Sequence, residues 1–217
     1  MSRIEIQDVS KTFRENKVID HVSASFSGGK IIGLIGRNGS GKTVLFKMIC
    51  GLMPVDSGEI RVNGEILGRG AKPAANIGAI IETPGFLPLA SGFRNRSYLA
   101  GVRRKIGRLE IARAMEQVGL DPGLRRRVGA YSLGMRQRLG IAQAIMEDPE
   151  ILILDEPMSS LDESGVMAMR SLFQQMRKAG KLILIATHVR EDVDMLCDEV
   201  YRMQAGKLLP EEAVRTV

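Results

Sequence analysis

The sequence predicts an α/β fold: a parallel-sheet core, an antiparallel β part near the N-terminal end, and a helical insertion. Three observations carry this prediction. Residues 31–35 and 151–154 are short, unbroken apolar runs, the pattern of strands buried on both faces of a parallel sheet. A further run, 182–186, follows after a stretch of helical spacing at about 166–178. That makes a βαβ unit, whose crossover is right-handed. Between about 91 and 147 strand-like runs vanish and helical patterns replace them.

The elements follow in order. Residues 3–9 and 22–26 alternate apolar and polar, as half-buried strands do. Gly28-Gly29 reads as a turn. The run 31–35 stops at a glycine-rich loop, and 43–49 has helical spacing. The alternating segment 59–62 leads into Asn63-Gly64, a pair that favours the type I′ hairpin turn. Residues 77–81 form another short apolar strand, followed by the Pro- and Gly-bearing loop 82–88. Helical patterns occupy 108–118 and 135–146. Residues 198–203 followed by Ala205-Gly206 predict a final hairpin. With no internal repeat and no low-complexity linker, the chain reads as one domain, with a core of 1–90 and 148–217 and a helical subdomain at about 91–147.

Composition narrows the function. A length of 217 residues is ample for a sizeable core, and 44% hydrophobic with 26% charged residues excludes disorder, collagen and coiled coil. Aromatics at 4% with no Trp argue against a stacking platform for single-stranded nucleic acid. Cys50 and Cys197 match no zinc spacing and read as reduced core thiols. The first ten residues hold no apolar signal core, and no apolar run approaches the roughly 18 residues of a spanning helix. The expected location is therefore cytoplasmic. The net charge of +6 is unevenly placed: residues 94–138 hold twelve basic and three acidic side chains, so that segment is +9 and the remainder −3. The total suggests nucleic acid, but its location fits a docking face near an anionic membrane.

Two motifs carry chemistry. Residues 36–43, Gly-Arg-Asn-Gly-Ser-Gly-Lys-Thr, fit the phosphate-binding loop in full, with a strand before and a helix after. Backbone N–H groups of such a loop cradle phosphate oxygens, and the helix N-terminus adds positive potential. The nucleotide-binding candidates are Gly36, Asn38, Gly39, Ser40, Gly41, Lys42, Thr43 and Val44. Lys42 is placed for the β- and γ-phosphates and the Thr43 hydroxyl for Mg²⁺. The strand 151–154 then delivers Asp155, a metal ligand, and Glu156, which polarises an attacking water. Adjacent strand residues point to opposite sides, which gives the two carboxylates different jobs.

Three further segments narrow the choice among nucleotide phosphohydrolases: residues 131–138 at a helix start, Ser160-Leu161-Asp162 just after Glu156, and His188 at the end of the strand 182–186. With these, the chain resembles the ATP-binding cassette (ABC) family over nearly its whole length. Phosphate loop, glutamine loop, signature, acidic strand, aspartate loop and switch histidine occur in the family's order. The resemblance implies a P-loop NTPase with a RecA-like parallel-sheet core and ATP and Mg²⁺ as cofactors. It also implies an ATP-dependent head-to-tail homodimer, or a heterodimer with another cassette. ATP at Lys42 of one subunit is then covered by Ser132 and Gly134 of the other. By the same resemblance His188 contacts the γ-phosphate and holds Glu156 and the water in line, Asp162 communicates across the dimer, and Phe13 stacks on adenine. Lys42, Glu156 and His188 form the catalytic set.

The sequence departs from the family pattern in three ways. Its signature is Ser-Leu-Gly-Met (132–135) in place of Ser-Gly-Gly-Gln. The family's loop glutamine is replaced by Glu82, which adds a negative charge near the metal and donates no hydrogen bond. Residues 80–86 and the signature together resemble the subgroup exporting bacitracin-type and lantibiotic peptides, which carries glutamate in this loop. The implied function is the ATP-hydrolysing subunit of a transporter that exports a peptide antibiotic or another hydrophobic compound. It works with a separate integral-membrane permease and sits peripherally at the inner face of the cell membrane. The apolar loop 84–89 and the basic insertion form the docking surface. An alternative is a cassette ATPase acting on nucleic acid or the ribosome. The chain has no second cassette, coiled-coil insertion or zinc module to support that reading, so no nucleic acid partner is expected.

Overall fold

The computed structural model describes residues 2–67 and 76–211. It contains two sheets. A four-stranded antiparallel sheet has the order β2-β1-β4-β5, from β1 (Arg3–Phe13), β2 (Asn16–Ser27), β4 (Ser57–Val62) and β5 (Glu65–Leu67). A six-stranded sheet has the order β10-β9-β3-β8-β7-β6, from β3 (Ile31–Ile35), β6 (Ile77–Ile80), β7 (Ile151–Asp155), β8 (Leu182–Ala186), β9 (Glu199–Gln204) and β10 (Lys207–Glu211). Within it β6, β7, β8, β3 and β9 run parallel, and β10 closes an antiparallel hairpin on β9. The expected α/β architecture is present.

The unbroken apolar runs have the expected cause. Along β7, Leu152 and Leu154 enter one core, whereas Ile151 and Ile153 enter the other. The first core packs the sheet against α3 (Arg108–Gln117), α4 (Leu133–Ile145) and α5 (Glu163–Lys178). The second packs the opposite face against α1 (Lys42–Ile49) and the antiparallel sheet. Each buried Ile or Leu contributes roughly 1.5–3 kcal/mol, so a period-2 polar residue in β7 would damage whichever core it entered. β1 and β2 are longer than their alternation predicts. Asp8 adopts φ near +50° where the register slips between Ile6 and Val9, and His21 does so on the partner strand at the next slip, between Val9 and Lys11; these bulges break the alternation. Asn63 and Gly64 both have positive φ (52° and 85°), as a type I′ turn requires.

Two helices carry little apolar signature in the sequence. α2 (Gly92–Arg103) buries Gly92, Asn95, Arg96 and Ala100, a face with almost no large apolar side chain. Asn95 holds the preceding loop instead, accepting from the Leu87 N–H at 2.8 Å and donating to the Leu87 carbonyl at 3.1 Å. Arg96 is 1% exposed, lies over the Phe86 ring, and has no acidic partner among the described residues. Burial lowers its pKa to about 10. α6 (Arg190–Leu196) is tied down by charge: Asp192 Oδ1 accepts from Arg170 Nε at 2.9 Å and Nη2 at 2.6 Å, both residues being buried. Cys50 and Cys197 are unpaired, and burial pushes both thiols up to about 12.

Gly78 marks the closest approach of β6 to α4. A Cβ there would lie 1.9 Å from the Ala144 carbonyl oxygen and 2.8 Å from Pro149 Cγ. Gly78→Ala is therefore expected to lower the unfolding free energy by at least about 1–3 kcal/mol, the range for overpacking. Urea denaturation checks this; an unchanged midpoint would contradict the packing.

Candidate functional site

The carboxyl ends of β3, β8 and β7 lie side by side, where open parallel sheets bind ligands. Each end carries one expected segment. β3 runs into residues 36–41 and then α1. β7 ends at Asp155. β8 is followed by Thr187 and His188. Between them lies a cavity of about 490 Å³, whose lining includes Asn38, Gly39, Ser40, Gly41, Lys42, Thr43, Val44, Glu82, Asp155 and Glu156 together with Leu133, Gln137 and Ser160. That volume suits a nucleotide-sized ligand.

The loop conformation fits a phosphate group. A Cβ on Gly36 (φ 150°) would lie 2.5 Å from the Met203 carbonyl oxygen, so only glycine admits this path. Gly41 is the N-cap of α1 at φ 110°, with no side-chain cap and no acid in the first turn. The first N–H groups of α1 are therefore left without a side-chain partner, and the positive end of the helix is not neutralised. The Ser40 hydroxyl is buried with no partner. Lys42 is 8% exposed, and its ammonium donates to the Gly36 carbonyl at 2.7 Å and the Arg37 carbonyl at 3.2 Å. It has no acidic partner among the described residues. A buried ammonium held only by neutral carbonyls gains from an anion.

The acidic side is equally specific. The Thr43 hydroxyl donates to Asp155 Oδ2 at 2.7 Å, an oxygen pair suited to a hard divalent cation. No cluster of three or more His, Cys, Asp and Glu ligands exists among the described residues. A cation here therefore needs ligand oxygens from phosphate or water, as Mg²⁺ does. Glu156 corrects one expectation. It does not continue the strand: its φ is +49°, and the turn, not strand alternation, re-aims its carboxylate. Its N–H donates to the Ala186 carbonyl at 2.9 Å, and its Oε1 lies 2.8 Å from Nδ1 of the exposed His188.

The remaining expected residues are spread more widely. Glu82 lines the cavity with φ +61°, but its carboxylate is engaged by Lys47 at 2.7 Å, a pairing absent from the sequence reading. Phe13 ends β1, is 42% exposed, lies outside the cavity lining, and has the Lys11 ammonium over its ring. Ser132 and Gly134 are likewise outside that lining. Ser132 caps α4, its Oγ accepting from the Met135 N–H at 3.1 Å. Asp162 caps α5. The Ser164 hydroxyl, 2.8 Å from its carboxylate, and the Gly165 N–H hold its pKa below the ordinary value. Gln137 lies within the segment 131–138, where the sequence gives it no role of its own. Its Nε2 donates to the Pro157 carbonyl at 2.8 Å and the Glu156 carbonyl at 3.3 Å. The available signal was its spacing of four from Leu133, which places both on one face of α4.

Comparison with known proteins agrees with this geometry. The sequence pattern of the ABC transporter family matches residues 19–159. The uncharacterised ABC transporter ATP-binding protein YybJ of Bacillus subtilis is 38% identical over 211 residues, covering 97% of each chain. The bacitracin transport ATP-binding protein BcrA of Enterococcus faecalis is also 38% identical, over 96% of this chain and 68% of its own length. Among solved structures, the dimeric bacterial ABC transporter cassette MJ0796 superposes with a TM-score of 0.88 at 20% identity, covering 99% of this chain and 100% of that one. A dimeric post-hydrolysis form of that cassette, bound to ADP and Pi, gives 0.87 at 18% identity with the same coverage. These two likenesses establish the fold. Pattern and identity together show that the chain belongs to the ABC transporter family, as one of its ATPase cassettes.

Proposed function

We propose that this cassette hydrolyses Mg²⁺-ATP to power a separate integral-membrane permease that exports a peptide antibiotic or another hydrophobic compound. The observation that supports it most is the single cavity joining Lys42, the Thr43–Asp155 pair and Glu156 with its His188 contact. ATP with Mg²⁺ supplies the phosphoanhydride whose hydrolysis drives the cycle. Lys42 exchanges the carbonyls of Gly36 and Arg37 for phosphate oxygens, and the uncapped N–H groups of α1 orient them. Thr43 and Asp155 hold the cation, with Glu82 nearby. Glu156 orients water, and His188 keeps that carboxylate in line. Phe13 offers an exposed ring to adenine.

In a head-to-tail pair, the exposed Ser132 and the Gly134 backbone at the start of α4 cover the partner's nucleotide, and Asp162 lies beside that seam. Residues 91–147 act as a helical subdomain that meets the permease together with the loop 84–89, where Leu87 and Leu89 are exposed. The likeness to bacitracin transport proteins supports the cargo class. No helix among the described residues is long and apolar enough to cross a membrane. In this reading the permease is a separate partner and the cassette works at the inner membrane face. Copurification of the tagged chain with a polytopic membrane protein, and ATPase activity of that complex, is the expected result. A salt-dependent affinity for nucleic acid with no permease bound would overturn it.

In this reading Glu82 senses the cation and relays its state to the permease; Glu82→Gln reduces its ion pair with Lys47 to a hydrogen bond with a neutral acceptor and removes one negative charge beside the cation. The Mg²⁺ concentration for half-maximal ATPase activity, or the coupling of hydrolysis to transport, is expected to change. A variant unaltered in both assays would rule out metal sensing at Glu82.

A further inference from the structure

We infer that Gln137 is a positioning residue: its amide sets the backbone turn that aims the Glu156 carboxylate. Glu156 occupies a left-handed conformation (φ +49°) that non-glycine residues rarely adopt, so its neighbours must hold it there. On one side the Ala186 carbonyl accepts the Glu156 N–H at 2.9 Å. On the other, the Glu156 carbonyl needs donors. Ser159 supplies a hydroxyl at 3.1 Å and a long N–H contact at 3.4 Å. Gln137 supplies the rest: one amide nitrogen, with two N–H groups, bonds the Pro157 carbonyl at 2.8 Å and the Glu156 carbonyl at 3.3 Å. The two carbonyls are thus tied to α4 from a single point.

This placement has a consequence for the paired sites. Gln137 lies on the same short helix as its cap, Ser132. It rests on the reading above, in which Glu156 orients water and Ser132 covers the partner's ATP. When the partner's nucleotide draws Ser132 and α4 inward, Gln137 transmits that shift to the Glu156 turn of its own chain.

The test uses the full chain with Mg²⁺-ATP. Gln137→Leu removes both donors, and the isosteric Gln137→Glu replaces them with acceptors. Gln137→Leu is expected to lower kcat about 10–100-fold with KM for ATP unchanged and an unshifted thermal melt, and Gln137→Glu to lower kcat at least as far. In the Glu156→Gln background, Gln137→Leu is expected to cause no further loss of residual hydrolysis and to leave the ATP-bound dimer intact. Wild-type kcat in Gln137→Leu, or an additive loss in the double variant, would overturn the role. Undiminished hydrolysis in Glu156→Gln alone would instead refute the reading of Glu156 and, with it, this inference.

Discussion

Glu156→Gln is expected to lower ATP hydrolysis by about 10²–10⁴-fold, the usual contribution of a positioned general base, while ATP binding survives. The substitution keeps the shape of the side chain and removes only its charge and basicity. Its amide oxygen can still meet His188 Nδ1, now 2.8 Å from the carboxylate. The turn at φ +49° is held by backbone contacts to Ala186 and Gln137 that the substitution does not touch. The fold and the phosphate loop therefore stay as they are, and the ATP-loaded state outlives its normal lifetime. Phosphate release measures the loss, and size-exclusion chromatography with Mg²⁺-ATP is expected to show a dimer that accumulates. Hydrolysis at the wild-type rate would remove Glu156 from the mechanism.

Lys42→Met is expected to reduce ATPase activity by about 10²–10³-fold, the loss on deleting one preorganised donor to a charged group, and to weaken ATP binding. Its effect on folding runs the other way. The Lys42 ammonium is buried against two carbonyls with no counter-charge, an arrangement that costs desolvation without an ion pair to offset it. Methionine matches the stem and removes the charge, so the ligand-free melting temperature should hold steady or rise. The wild type should gain stability with ligand, about 2.7 kcal/mol at a hundredfold excess over Kd, and Lys42→Met should not. Thermal melts with and without Mg²⁺-ATP separate the two effects. An equal ligand-induced rise in the variant would show that the loop backbone alone holds the nucleotide.

The fold was legible wherever burial leaves an apolar pattern. The runs 31–35, 151–154 and 182–186 are buried on both faces, and both faces receive apolar partners. The pattern failed where burial is achieved by polar groups. α2 buries Asn95 and Arg96, and α6 is held by the Arg170–Asp192 ion pair. α2 buries no apolar stripe of period 3.6, and α6 buries only Val193 and Leu196 over seven residues, too short a pattern to read from spacing. Pairings across the chain were equally invisible: Lys47 with Glu82 spans 35 positions and Gln137 with Pro157 spans 20.

The sequence by itself determined the parallel core, the phosphate-loop conformation and the identity of the charged groups near it. Those depend on local steric rules, such as glycine at positive φ, and on the period of apolar side chains. Only the tertiary structure decided how the groups are aimed. The turn at Glu156, the engagement of Glu82 by Lys47 and the hold of α4 on residues 156–157 arise from hydrogen bonds between segments far apart in the chain. Their geometry is set when the sheet and helices pack, because short-range electrostatics and directional bonds act only once distant residues are brought within about 3 Å.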